Sequence, residues 1–207
     1  MAAGHKIPLV VSQPDRPAVR SKQLTAPPVK QAAMAAGIAV VQPEKIRNNA
    51  EFRTQLEAIA PDAIIVVAYG RILPPWMLAL PRLGCINLHG SLLPKYRGAA
   101  PIQWAIASGD EKTGVCLMEM DAGMDTGAVI DRLELPILPT DTSATLHDKL
   151  AALGGEVLQR SLQKYVDGEL RATPQPTEGV VMARMIEKED GRFDWRDESG
   201  GGDAAED

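Results

Sequence analysis

Hydrophobic positions along this chain alternate between short apolar runs and longer stretches with helical spacing. Continuous apolar runs predict buried strands at residues 7–12, 63–68, 84–88 and 115–120. Apolar side chains three or four residues apart predict helices over residues 50–59 and 143–166, and an alanine-rich stretch that ends at Gly37 predicts another over residues 29–36. Residues 128–135 alternate more strictly, which is typical of an edge strand. Strands that alternate with helices in this way predict an α/β fold with a doubly wound, mostly parallel sheet.

Asn87 lies near the end of the predicted strand at 84–88 and His89 directly follows it, just before a loop marked by Gly90 and Pro94. Side chains alternate along a strand, so Asn87 and His89 share one face of the sheet. In an open α/β sheet, ligands bind at the carboxyl ends of the strands. An amide and an imidazole at that place can act together on one substrate atom. A histidine there could also be a core residue bonded to a neighbour, but the nearby Asn87 and the Gly/Pro loop favour a reaction centre.

Asp125 lies in the sequence DAGMDTG, a loop with two glycines that follows the strand at 115–120. If that strand neighbours the strand of His89, Asp125 reaches the same crevice. A carboxylate beside an imidazole fixes its tautomer and can take part in proton transfer. The amide N–H of Asn87 suits an oxyanion that develops on a carbonyl. These side chains indicate acyl transfer without a protein nucleophile, although Asp125 alone could also be a turn-forming residue.

The negative charge of the chain is concentrated at its carboxyl end. The net charge is −5, but between Glu187 and Asp207 there are nine acidic and three basic side chains, a balance of −6. The rest of the chain therefore carries about +1, which is −5 less −6. A nearly neutral body exerts no long-range attraction on nucleic acid, so any contact with a polyanion must be local.

The one clearly basic segment is residues 13–30, where four prolines argue against regular structure. Its basic side chains are Arg16, Arg20, Lys22 and Lys30, against the single acid Asp15. Judged by composition alone, the segment is a solvated stretch of charge.

Composition otherwise fits one ordinary globular core, with 45% apolar and 24% charged residues in 207. No apolar run approaches the roughly 18 residues that span a bilayer, and we recognise no secretory signal. Cys85 and Cys116 fall in predicted strands without metal-ligand spacing. We expect buried free thiols in a reducing cytoplasm, no metal, no membrane partner and a monomeric protein.

The motifs CINLHGSLLPKYRGAAPIQWAI, GVCLMEMDAGMDTG and VVAYGRILP together resemble the folate-dependent formyltransferases. The similarity runs from about Gly4 to about Trp195, and the opening QPDRPAVRSKQLTAPPVK resembles the branch of that family that acts on methionyl-tRNA. The resemblance implies a Rossmann-like formyltransferase fold. It also implies transfer of a formyl group from 10-formyltetrahydrofolate, a cosubstrate, to the α-amine of methionine on initiator tRNA.

Asn87, His89 and Asp125 match the family's catalytic Asn, His and Asp. On that resemblance the free amine attacks the formyl carbon, and Asn87 and protonated His89 stabilise the tetrahedral oxyanion. Asp125 supports His89 and the proton transfer. Such a positioned acid or base contributes about 10²–10⁴-fold to a rate.

Two loops match the family's folate-binding segments, with ordinary loop packing as the alternative. The first loop consists of Ser91, Leu92, Leu93 and Pro94. The second consists of Arg71, Ile72 and Leu73, which in the family binds the pterin through backbone groups. The basic segment matches the family's tRNA-contacting insertion, and its expected phosphate contacts are Arg16, Arg20 and Lys22. Val19 departs from the family there, where a small flexible residue is usual.

The resemblance also predicts what this chain lacks. The family opens with a further strand, normally central to the sheet, followed by a glycine-containing turn and a helix, and we expect these to be missing. An exposed flank of a central strand would leave unpaired backbone groups and bare apolar surface. The expected organisation is a catalytic domain at 1–170, the start of a linker to an absent β-barrel at 171–198, and a disordered acidic tail at 199–207.

Two other functions stay open on the sequence. A related enzyme could formylate another amine or hydrolyse formyltetrahydrofolate, although the basic segment argues against this. An inactive folate-binding remnant is the other alternative.

Overall fold

The computed structural model describes residues 4–17 and 24–192 of the chain. The strands are β1 (Leu9–Val11), β2 (Arg16–Pro17), β3 (Leu24–Thr25), β4 (Ala39–Val41), β5 (Ile64–Val67), β6 (Cys85–His89), β7 (Arg97–Gly98), β8 (Lys112–Glu119), β9 (Val129–Pro136) and β10 (Met182–Ala183). The helices are α1 (Pro28–Ala35), α2 (Ala50–Ile59), α3 (Pro75–Leu78), α4 (Pro101–Ala107) and α5 (Ser143–Val166), with a 3-10 turn at Lys188–Gly191. The predicted α/β fold class is confirmed. The expected tail at 199–207 lies outside the described residues.

Helix α5 illustrates how local sequence sets an element. Thr142 is its N-cap, and the hydroxyl oxygen accepts a hydrogen bond from the Thr145 backbone N–H at 3.3 Å. The hydroxyl of Thr145 in turn accepts from the Thr142 N–H at 2.9 Å, which completes a capping box. The apolar stripe then buries Leu146, Leu150 and Val157 against the sheet.

The main sheet has the order β5–β6–β8–β9. β5 and β6 pair in parallel, but β8 is antiparallel to both β6 and β9, so the sheet is mixed. The burial of β9 alternates between half-buried or buried and exposed positions, as predicted for an edge strand. Ile86, Val115 and Leu117 point from this sheet into a core shared with α5.

A second, two-stranded sheet pairs β1 with β4 in parallel. The single sheet that the sequence predicts is therefore divided, with the division between β1 and β5. Among the described residues β1 pairs only with β4, and β5 pairs only with β6, so each has one unpaired edge. Val67 on β5 is 57% exposed. A side-chain hydrogen bond from Gln13 Nε2 to the Tyr69 carbonyl, at 2.6 Å, joins the two sheets where both strands end. Phe52 and Leu56 of α2 pack beneath that junction.

No helix within residues 4–17 and 24–192 is long and apolar enough to cross a bilayer.

Cys85 and Cys116 are both buried and unpaired, as predicted. Burial raises the pKa of each thiol to about 11, because the thiolate would lie in apolar surroundings. Both thiols are therefore neutral at ordinary pH.

These neutral thiols should resist alkylation in the folded protein. At pH 8 we expect Cys85 and Cys116 to react roughly 100-fold more slowly than an exposed thiol, because only the thiolate is nucleophilic. The rate should rise with pH as the raised pKa is approached. Mass spectrometry after iodoacetamide treatment measures the rate, and Ser108→Cys supplies an exposed thiol at the end of α4 in the same molecule. Equal native rates at all three positions would show that the strands do not bury these thiols.

Candidate functional site

His89 lies at the carboxyl end of β6, where its side chain is only 6% exposed. Its Nε2 is 2.9 Å from the carbonyl oxygen of Tyr96. A carbonyl only accepts hydrogen bonds, so Nε2 carries a proton and donates it. The backbone of Tyr96 has a φ of 62°, a left-handed conformation that a bulky residue adopts only when its surroundings hold it there. Those surroundings are Ala105 and Ala183, against which the Tyr96 ring packs.

Asn87 lies two residues before His89 and therefore on the same face of β6. The residue is half-buried. Within the described part of the chain its side-chain amide forms no hydrogen bond, so both of its N–H donors remain available to a ligand. Its backbone register opposes Val66 on one side and Met118 on the other, so β6 is held firmly in the middle of the sheet.

The Asp125 carboxylate meets the other side of the His89 ring. Its Oδ2 lies 3.6 Å from His89 Nδ1 and accepts a hydrogen bond from the Gly98 backbone N–H at 2.8 Å. The side chain of Asp125 is 19% exposed, so the pair is partly shielded from water. The structure thus brings Asp125 to His89, as the sequence hypothesis requires, while the catalytic role of each remains a prediction.

The route by which Asp125 reaches His89 differs from the one expected in a parallel sheet. β8 does neighbour β6, but it runs antiparallel, and Glu119 at its end opposes Ile86 near the start of β6. The loop of residues 120–128 therefore starts at the opposite end of β6 from His89 and folds back toward it. Gly127 permits this, because a Cβ there would lie 1.9 Å from the Glu119 carbonyl oxygen.

Gly98 is a site residue that the sequence analysis missed. Its φ is 123°, and a Cβ at this position would lie 2.7 Å from the carbonyl oxygen of Ala183 in β10. Strands β7 and β10 pair here, with Ala183 opposite Gly98. Residues beyond 171 therefore contact the site directly, although they were expected to begin a linker. The signal available in the sequence was the lone glycine of KYRGAA.

The loop predicted to contact folate turns most of its side chains inward. Ser91 is fully buried, and its hydroxyl donates to the Lys95 carbonyl oxygen at 2.6 Å. Leu93 packs against Cys116 and Met118, and a cis peptide bond joins it to Pro94. Leu92 and Pro94 are half-buried. A ligand would therefore meet mainly backbone groups of this loop, since the Ser91 and Leu93 side chains are already occupied.

The second predicted loop divides its residues in the same way. Leu73 is buried in the core, whereas the Ile72 side chain is 77% exposed. Arg71 donates two hydrogen bonds to Gln13 Oε1, at 3.2 Å from Nε and 3.0 Å from Nη2, and a third to the Glu44 carbonyl. Arg71 and Ile72 also line a cavity of about 330 Å³ with residues 45–48.

The basic segment is only partly described. Arg16 lies exposed in β2, which pairs antiparallel with β3, and Arg20, Lys22 and Val19 lie outside the described residues. Lys30 is neutralised by Asp15, with the two charged groups 2.7 Å apart. The hydrogen bond from Lys30, aided by one from Gln42, lowers the pKa of the Asp15 carboxyl. Lys30 is therefore not available to a polyanion in the way that Arg16 is.

Within the described ranges, no three His, Cys, Asp or Glu side chains cluster closely enough to hold a metal ion.

Substituting Gly98 should disturb both the backbone and the site. In Gly98→Ala the new Cβ clashes with the Ala183 carbonyl, and the positive φ is strained, so we expect a loss of about 1–3 kcal/mol in the free energy of unfolding. Gly155→Ala is the matched control, because its Cβ on α5 meets no atom within 4 Å, and Ala favours a helix over Gly by about 1 kcal/mol. Urea denaturation measures both variants. A Gly98→Ala protein as stable as its parent would show that β10 does not press on this residue.

The sequence of this chain matches a known protein family and several curated proteins. A family model described as formyl transferase matches residues 2–162. The chain is 56% identical over 193 residues to a methionyl-tRNA formyltransferase of Koribacter versatilis, an alignment that covers 93% of this chain and 62% of that protein. It is also 56% identical over 186 residues to a methionyl-tRNA formyltransferase of Myxococcus xanthus, covering 90% of this chain and 59% of that protein. The chain thus spans about three fifths of the length of these curated relatives.

Among solved structures, the phosphoribosylglycinamide formyltransferase of Bacillus halodurans matches with a TM-score of 0.66 and 26% identity. That alignment covers 80% of this chain and 84% of the other chain.

Proposed function

This chain belongs to the formyl transferase family, and from that premise we propose that it transfers a formyl group from 10-formyltetrahydrofolate to the α-amine of methionyl initiator tRNA. The observation that carries the proposal is the pair of His89 and Asp125, 3.6 Å apart, beside the side-chain amide of Asn87 on β6, which has no hydrogen-bond partner among the described residues. The relatives at 56% identity, both methionyl-tRNA formyltransferases, support the choice of substrate. A role in translation initiation would place the protein in the cytoplasm.

Asn87 and His89 would stabilise the charge that develops on the formyl oxygen. When the methionyl amine attacks the formyl carbon, the carbonyl oxygen becomes an oxyanion, and a pre-positioned N–H donor lowers the barrier to that step. Asn87 offers such a donor. Protonated His89 would offer a second from Nδ1, because its Nε2–H is already donated to the Tyr96 carbonyl.

Asp125 would orient His89 and stabilise positive charge on its ring. Its carboxylate faces Nδ1, so an imidazolium formed during proton transfer would lie beside a negative charge. The proton lost by the attacking amine would pass, through this pair, to the nitrogen of the departing folate as its bond to the formyl carbon breaks. No covalent bond to the protein is needed.

A protein nucleophile is disfavoured by the neighbouring groups themselves. Cys116 opposes His89 across β6 and β8, but burial raises its pKa to about 11, so it would be a neutral thiol. Ser91 donates a hydrogen bond to the Lys95 carbonyl, and in the described part of the chain its hydroxyl has no hydrogen bond to a basic side chain that could activate it. Direct attack by the substrate amine is the simpler chemistry.

The folate donor would bind between the two loops already described. Backbone groups of Arg71, Ile72 and Leu73 would meet the pterin, and the backbone of residues 91–94 would border the formyl group. The rigid connection of Arg71 to Gln13 supports this assignment, since it fixes the loop after β5 against the end of β1. The tRNA would lie along the basic segment, with phosphate contacts from Arg16, Arg20 and Lys22.

Loss of the imidazole is the direct test of the chemistry. We expect His89→Ala to lower kcat by about 10²–10⁴-fold, as for removal of a positioned acid or base, and Asn87→Ala to lower it by about 10²–10³-fold, as for an oxyanion donor. The assay follows transfer from 10-formyltetrahydrofolate to methionyl initiator tRNA. His147→Ala is the control, because His147 is an exposed histidine on α5.

The same assay with an amino-sugar nucleotide as acceptor tests whether the protein instead formylates another amine. Faster transfer to that acceptor would overturn the assignment of tRNA.

Salt dependence tests the tRNA surface separately. Each of Arg16→Ala, Arg20→Ala and Lys22→Ala should raise the KM for methionyl-tRNA and reduce the slope of log KM against log salt by about one, because each substitution removes one cation that neutralises a phosphate. The KM for the folate donor should not change. Arg171→Ala, at another exposed arginine, serves as the control. Unchanged salt slopes in all three variants would mean that RNA does not bind at this segment.

A further inference from the structure

Building on the proposed function, we propose that Gln175 is a positioning residue that holds the Asp125 carboxylate against His89. Gln175 lies in the segment after α5, outside every element that the sequence predicts. It is half-buried, and its side-chain amide joins two separate pieces of the site.

The nitrogen end of the amide holds the backbone of the Asp125 loop. Nε2 donates to the carbonyl oxygens of Asp125 and Gly127, each at 2.8 Å. Asp125 has a φ of 54°, a conformation that few residues other than glycine adopt without support. Two hydrogen bonds to carbonyls on either side of Thr126 fix that conformation, and with it the direction of the carboxylate.

The oxygen end of the amide holds the strand that binds the carboxylate. Oε1 accepts from Arg97 Nε at 3.0 Å and from Arg97 Nη2 at 2.8 Å. The next residue is Gly98, whose N–H donates to Asp125 Oδ2. Gln175 therefore closes a loop of contacts: it binds the main chain of Asp125 directly, and through Arg97 it binds the donor to the carboxylate.

Only an amide of this length meets both demands. Glutamine carries two N–H donors and one oxygen acceptor that can take two hydrogen bonds, and all four are used here. The partners also determine which end of the amide is the nitrogen and which is the oxygen, because carbonyls only accept hydrogen bonds and a guanidinium only donates them. Glutamate has the same shape and would keep the Arg97 contacts, but it would place a carboxylate oxygen against two carbonyls.

The register of this segment is fixed two residues earlier. Thr173 and Val129 exchange backbone hydrogen bonds of 2.8 and 2.9 Å, which attach the segment to the start of β9. Gln175 is thereby presented to the Asp125 loop by a backbone contact that its own substitution leaves in place. A Gln175 variant can therefore report on positioning without detaching the segment.

The test uses Gln175→Glu in the full chain, with Gln55→Glu on the exposed face of α2 as the matched control. Hydrogen exchange followed by NMR measures the Gly98 amide, which the Asp125 carboxylate protects, against the amides of β8 as an internal reference for global stability. We expect Gly98 to exchange about 10-fold faster or more in Gln175→Glu while β8 is unchanged. In the formyl transfer assay, kcat should fall about 10- to 100-fold with little change in the KM for tRNA, because a small misplacement of a catalytic group has that effect.

The two readouts separate this inference from the proposed function. If the parent protein transfers no formyl group, the proposed reaction fails, and Gly98 exchange still decides whether Gln175 positions Asp125. Unchanged Gly98 exchange in Gln175→Glu would overturn the positioning role. So would a parallel loss of protection in β8, or a rise in KM with kcat unchanged, since either would indicate general structural damage or substrate binding.

Discussion

The site depends on one buried imidazole held between a carbonyl and a carboxylate. The Tyr96 carbonyl accepts a hydrogen bond of 2.9 Å from His89 Nε2, and Asp125 faces Nδ1 at 3.6 Å. Because one ring nitrogen is committed to the backbone, the other is the one left to act on a substrate. Burial strengthens these interactions, since the effective dielectric around a group that is 6% exposed is lower than in water. The orientation of the ring, more than its mere presence, gives the site its proposed chemistry.

The two residues that hold the His89 ring have strained backbone conformations, and the chain after α5 supports both of them. Both partners of His89 have a positive φ without being glycine, 62° at Tyr96 and 54° at Asp125. Such conformations cost about 1–3 kcal/mol each and persist only where neighbours over-determine them. Ala183 packs on Tyr96 and Gln175 binds the main chain at Asp125. By its contacts, the segment of residues 171–183 therefore belongs to the same packed body as the candidate site, while the domain boundary at 170 stays a prediction.

Much of the architecture was predictable because it follows from local pattern. The apolar stripe of α5 and its Thr142 cap, the alternation of β9 and the pairing of Asn87 with His89 on one face of β6 are all properties of neighbouring residues. The direction of β8 was not predictable in this way, because strand orientation is set by chain connections across the whole sheet. Gln175 gave no signal either: it lies between prolines in a polar stretch, and its proposed role comes from contacts with residues 48, 50 and 78 positions away along the chain. The resemblance to formyltransferases pointed to the proposed catalytic residues, whereas the contacts that orient them are visible only in the folded structure.

A crystal structure of this protein with a non-reactive analogue of the formyl donor tests the central claim most directly. The account predicts that the carbonyl oxygen of the analogue lies within about 3 Å of both the Asn87 side-chain nitrogen and His89 Nδ1, with Nε2 still donating to Tyr96. An analogue bound with that oxygen turned away from Asn87, or a His89 ring that leaves Tyr96 and Asp125 to reach it, would contradict the account.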